Sequence, residues 1–105
     1  MIFPVQAQIL DFCVLAHLSK GDTYGYELNQ ALVGPLDLSE STLYPVLRRL
    51  SKEGFLDTYD EAFDGRNRRY YTITESGKDI LVEYLGSWRE YKNRIDTLIG
   101  GVSVE

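Results

Sequence analysis

Arg66, Arg68 and Arg69 fall within four positions of the stretch DGRNRRYYTIT, residues 64–74, in a chain whose formal net charge is −5. Guanidinium groups set this closely suit phosphate oxygens. On its own, such a run is ordinary solvated surface. What surrounds it decides between the two. Six of the eleven basic residues lie between positions 48 and 69: Arg48, Arg49, Lys52, Arg66, Arg68 and Arg69. Five acidic residues lie among them, so the fold must sort the cations onto one face. Residues 1–40 hold one lysine against five acidic side chains. The low pI, about 4.8, counts against indiscriminate binding to nucleic acid.

Other chemistries find little support. His17 is the only histidine and falls in an apolar helix, where a packed or interface role suits it better than catalysis. One histidine and one cysteine, Cys13, do not make a metal cluster, so no metal site is expected. No carboxylate pair sits where burial would split the two pKa values. No glycine-rich phosphate loop is present. Neither an enzyme nor a cofactor is expected. A single cysteine excludes an intrachain disulfide and fits a reducing compartment, with Cys13 as a small core hydrophobe. The start, MIFPVQAQ, lacks the pattern of a signal peptide, and no apolar run approaches the ~20 residues that cross a bilayer. A soluble cytoplasmic protein is expected, with no membrane partner.

The length, 105 residues, predicts one domain with a modest core that dimerisation would supplement. Residues 5–18 read as a helix apolar on two sides, with Ile9 and Phe12 on one stripe, so a second subunit is the simplest cover for one side. Residues 24–33 read as a second helix, stopped by Gly34-Pro35. A third follows in STLYPVLRRLSKEG, capped by Ser39 or Ser41, with Pro45 in its first turn and Gly54 at its end. The period then changes to two. FLDTYD and RRYYTIT read as strands separated by about seven residues that include the turn signal Asp64-Gly65. Thr74 caps a long last helix, from about Glu75 to Ile99. At 1.5 Å per residue it runs about 36 Å, too long for so small a body to cover. Leu81, Tyr84, Trp88, Tyr91, Ile95 and Leu98 form a heptad seam along it, suited to contact between two subunits. Trp88 on that seam meets its symmetry mate or the first helix of the other subunit, as packed dimer core or as a ligand clamp.

The expected fold is mainly α with a small β-hairpin: a winged helix-turn-helix in residues 1–74, a dimerisation helix in 75–100 and a frayed tail in 101–105. In this arrangement the third helix enters the major groove and the hairpin is the wing. Removing the inward leucine stripe leaves Ser41, Thr42, Tyr44, Arg48, Arg49 and Lys52 on the polar face. Hydroxyls and amides at the helix start suit phosphate, and Arg48 or Arg49 could grip a guanine edge. Arg66, Arg68 and Arg69 are then phosphate ligands on the wing.

TYGYELNQAL, STLYPVLRRLSKEGFL and GRNRRYYTITESGKDIL resemble the PadR family of bacterial transcriptional regulators, in order and over nearly the whole chain. The length resembles the short-tailed branch with a single C-terminal helix. The resemblance implies a homodimer built by the first and last helices, binding inverted-repeat operators in double-stranded DNA, usually as a repressor. It assigns Thr42, Tyr44, the helix-three arginines and the wing arginines to DNA. Tyr24 would add a phosphate contact, and Tyr26 would do so or join the core. Some short-tailed relatives hold a flat aromatic effector by a tryptophan of the last helix. That position is Trp88 here, with Leu85, Lys92, Gln8 and Phe12 around it; Lys92 favours a neutral or anionic aromatic. The competing expectation is a winged-helix protein-interaction module that never touches DNA, which the acidic pI favours.

Overall fold

The computed structural model describes residues 2–103; Met1, Val104 and Glu105, the last two belonging to the expected tail, lie outside the described residues. The elements run α1 (Ala7–Ser19), β1 (Thr23–Tyr24), α2 (Gly25–Leu36), α3 (Leu43–Lys52), β2 (Leu56–Phe63), β3 (Arg66–Ile73) and α4 (Glu75–Ile99). The three strands form an antiparallel sheet in the order β1-β3-β2. Leucines fill the core: Leu10, Leu15 and Leu18 from α1, Leu28 and Leu32 from α2, Leu43, Leu47 and Leu50 from α3, with Val14, Leu56 and Leu81. The winged helix-turn-helix with its long C-terminal helix is the fold the sequence predicts.

Three local features differ from the sequence reading. Tyr24 is extended, not helical, and pairs with Tyr70 as part of β1. A strand of two residues has no periodicity to detect. Pro35 does not stop α2 but lies in its last turn, where its missing N–H removes only one helical bond. The stop is Asp37, in the left-handed region at φ 54°. The Leu38 amide donates to the Val33 carbonyl at 3.0 Å and the Asp37 amide to Gly34 at 3.1 Å, a Schellman closure. The hairpin is also tighter than expected. Strands run up to Phe63 and from Arg66, leaving only Asp64 and Gly65 in the turn, both at positive φ, 52° and 72°. Two such residues give the turn whose twist matches a hairpin. The extra strand length was hidden because residues 57–67 are exposed, so neither face imposes an apolar alternation.

The start of α4 is fastened to the end of α3. Thr74 caps α4 as predicted, its Oγ1 accepting from the Gly77 amide at 3.0 Å. The Thr74 and Ser76 hydroxyls both donate to the Gly54 carbonyl, at 2.7 and 2.8 Å. Gly77 permits this approach: a Cβ there would overlap the Phe55 carbonyl oxygen and lie 2.7 Å from Ile73 Cγ1. From Gly86 onward every residue of α4 is exposed. The radius of gyration, 16.1 Å, accordingly exceeds the ~13 Å of a compact chain of this length.

Candidate nucleic-acid interface

α3 separates its two sides sharply. Leu43, Leu47 and Leu50 are buried, whereas Tyr44, Arg48 and Lys52 are exposed. Neither Ser39 nor Ser41 caps the helix. The Ser39 hydroxyl instead lies 2.8 Å from Thr42 Oγ1, and Thr42 at the N-cap has helical dihedrals and makes no side-chain cap. Ser41 is exposed beside them. Arg48 has no carboxylate partner among the described residues.

Arg49 points elsewhere. Its guanidinium donates to Asp11 Oδ1 of α1 at 2.5 Å and to Glu53 Oε1 at 3.0 Å. Hydrogen bonds to these carboxylates, Asp11 first, raise its pKa further. Asp11 is buried, 6% exposed.

The strand alternation divides the wing arginines. The register pairs Phe63 with Arg66, Glu61 with Arg68 and Tyr59 with Tyr70, placing these side chains on one face. There Arg68 lies over two rings, its Cζ 4.4 Å from the Tyr24 centroid and 4.1 Å from that of Phe63. Such cation–π contacts contribute about 0.5–1 kcal/mol each at exposed sites. Tyr70 stacks on Tyr59 at 5.4 Å and meets Tyr24 edge-on at 5.6 Å. The Tyr59 hydroxyl donates to Asp22 Oδ2 at 2.9 Å, and that hydrogen bond pushes the phenol pKa up to about 12. Arg69 is on the other face, 3.4 Å from Asp60, its register partner. The three arginines therefore do not lie on one side of the wing.

The N-terminus of α2 bridges α3 and the wing. A Cβ on Gly25 would meet the Tyr44 ring at 3.2 Å and Tyr71 at 3.8 Å. On either side of Gly25, Tyr24 and Tyr26 line a shallow concavity of about 430 Å³ with Arg66, Asn67 and Arg68. Tyr26 is 62% exposed, which removes the core reading for it. The sequence reading missed Tyr59, Phe63, Asn67 and Tyr70; counting back by two from Ile73 gives Tyr71, Arg69 and Asn67 and leaves Tyr70, Arg68 and Arg66 together on the other face.

A second cluster lies between α1 and α4. Phe12 stacks on Tyr84 at 5.8 Å and touches Trp88 at 6.4 Å, and Trp88 meets Tyr91 at 6.4 Å. Trp88 thus packs on the first helix of its own chain. Leu85 is half-buried nearby, Gln8 is exposed, and Lys92 turns to Asp96 at 3.4 Å. Of the residues expected at a dimer interface, Leu81 belongs to the core of its own chain, Ile9 of α1 and Tyr84 are half-buried, and Trp88, Tyr91, Ile95 and Leu98 are exposed, Trp88 with one side against Phe12. Burial raises the pKa of the Cys13 thiol, away from reactivity. Among the described residues no three His, Cys, Asp or Glu side chains could share a metal ion, and no helix is long and apolar enough to cross a membrane.

Comparison with known proteins agrees with this geometry. The chain is 36% identical over 98 residues to an uncharacterised protein of Lysinibacillus sphaericus, covering 89% of this chain and 90% of that one. It is 31% identical over 84 residues to the negative transcriptional regulator PadR of Bacillus subtilis, covering 74% of this chain but only 46% of that one. In structure it is similar to a crystal structure from Streptococcus mutans, with TM-score 0.89 and 40% identity over the whole of both chains. It is likewise similar to the PadR-like transcriptional regulator of Bacillus cereus, with TM-score 0.81 and 34% identity, covering 90% of this chain and 94% of that one. The model of the transcriptional regulator PadR-like family matches residues 14–83, and with two thirds of its length so matched the chain belongs to that family of transcriptional regulators.

Proposed function

We propose that this regulator binds duplex DNA as a homodimer and represses transcription from an inverted-repeat operator. The observation that carries the reading is the junction at Tyr24-Gly25-Tyr26, which sets Tyr44 of α3 next to the concavity holding Arg66 and Arg68. A helix in the major groove and a cationic wing on the adjacent backbone require that adjacency. Ser41, Thr42, Tyr44 and Arg48 then face the groove, and Tyr24, Arg66 and Arg68 face phosphates. Dimerisation is supported by the uncovered row Trp88, Tyr91, Ile95 and Leu98, and two-fold symmetry in the protein calls for a palindromic site. The repressing sign rests on the Bacillus subtilis relative's name. DNA as partner implies a cytoplasmic place of action. The Phe12–Tyr84–Trp88 cluster supports a planar aromatic effector as the releasing signal.

A gel-shift titration against the native upstream region tests the reading. Retardation that weakens linearly on a log–log salt plot is expected. Absence of retardation at low salt would assign the surface to a protein partner instead. Quenching of the single tryptophan by planar aromatics would report the effector, and an unchanged spectrum would leave the cluster as packing alone.

A further inference from the structure

Arg49 lies on the DNA-reading helix, yet its guanidinium, 43% exposed along the side chain, is engaged by carboxylates of its own chain. It bridges two carboxylates, one on α1 and one on the next turn of its own helix: Asp11 at 2.5 Å and Glu53 at 3.0 Å. Asp11 is buried, its side chain 9% exposed, and Arg49 is its only cationic partner among the described residues. The residue after Asp11 is Phe12, which stacks on Tyr84 and touches Trp88. One ion pair therefore connects α3 to the part of α1 that carries the aromatic cluster. Arg48, the neighbouring residue and likewise exposed, has no such tie among the described residues.

We infer that Arg49 is a positioning residue and not a DNA contact: through Asp11 it locks the recognition helix to α1, making α3 sensitive to the packing of Phe12 and Trp88. This rests on the DNA-binding reading above. Loss of Arg49 leaves the Asp11 carboxylate buried without its cation, and loss of the Asp11 charge leaves the guanidinium held by Glu53 of its own helix alone, so either change unties α3 from α1. The guanidinium fork matters because it spans both carboxylates at once; an ammonium would hold one.

The test uses the full chain and the native upstream duplex, comparing the parent with D11N, R49M, R49K and the D11N/R49M double variant. D11N adds no charge change on the DNA side and keeps the size of the side chain, so it serves where R49M fails to fold, as judged by circular dichroism. Expected are weakening of about tenfold for D11N and for R49M, no further loss in the double variant beyond twofold, and a smaller loss for R49K. The slope of log K against log salt stays at the parent value, and the emission of Trp88 shifts in D11N. An Arg49 that contacts phosphate gives the opposite pattern: R49M flattens the slope by roughly two units per dimer and D11N binds like the parent. That pattern, or parental affinity in all variants, overturns the inference. If the parent itself fails to bind DNA, the DNA reading has failed, and the inference falls with it.

Discussion

Replacing Arg66 and Arg68 together with alanine should change the salt dependence of DNA binding far more than replacing Arg69. The first two share one face of the wing with Tyr24 and Phe63, and neither has a carboxylate within ion-pair reach among the described residues. Arg69 is on the other face, beside Asp60. In a dimer the double variant removes four cations. At about 0.9 slope units per neutralised phosphate, the plot of log K against log salt should flatten by about 3.6 units, so raising salt from about 50 to 200 mM would cost the variant about 150-fold less affinity than it costs the parent. Arg69→Ala should move the slope by less than about half a unit, because Asp60 already offsets its charge. Fluorescence anisotropy on a labelled operator at four or five salt concentrations measures both. If Arg69→Ala flattens the slope by half as much as the double variant does, the division of the wing into two faces does not govern binding.

Gly77→Ala should lower stability by about 2–3 kcal/mol in thermal unfolding, because the new methyl meets the Phe55 backbone and Ile73. Gly86→Ala is the control and should raise stability by about 1 kcal/mol, since nothing lies within 4 Å of that position. Ile95→Glu with Leu98→Glu should convert dimer to monomer in sedimentation while leaving the helical circular dichroism of each chain intact, because both side chains are uncovered in the single subunit. Spectrophotometric titration should show one phenol ionising near pH 12 that disappears in Tyr59→Phe and drops towards the ordinary value of about 10 in Asp22→Asn. The native state favours the protonated phenol, so this contribution to stability is complete below about pH 10 and fades as pH rises through about 12.

Much of this architecture is legible in the residues. The leucine spacing of α3 fixes its inward side, Thr74 announces the start of α4, and Asp64-Gly65 announces the hairpin. What escapes has a physical pattern. The tip of the hairpin is wet on both faces, so no apolar alternation marks its length, and only the parity counted back from Ile73 sorts Arg66 and Arg68 from Arg69. Pro35 reads as a stop because proline usually is one, but in a last turn it removes a single bond. Arg48 and Arg49 are adjacent in sequence and look equivalent. Their partners differ: Arg49 is held by Asp11, 38 residues earlier, and by Glu53, and nothing in the local sequence marks the long-range tie. Leu81 belongs to a continuous seven-residue pattern with Ile95 and Leu98, and nothing in the spacing says where the globular body ends beneath it.

Strand β1 is only two residues long, yet it laces the hairpin to the beginning of α2 through Thr23–Tyr71 and Tyr24–Tyr70. The hairpin and the helix-turn-helix therefore travel as one plate. In the proposed homodimer, the bare stretch of α4 is then the segment through which a change in the distance between the two plates would act. Gly86, at the edge of the body with open space around it, is the weakest link of that lever.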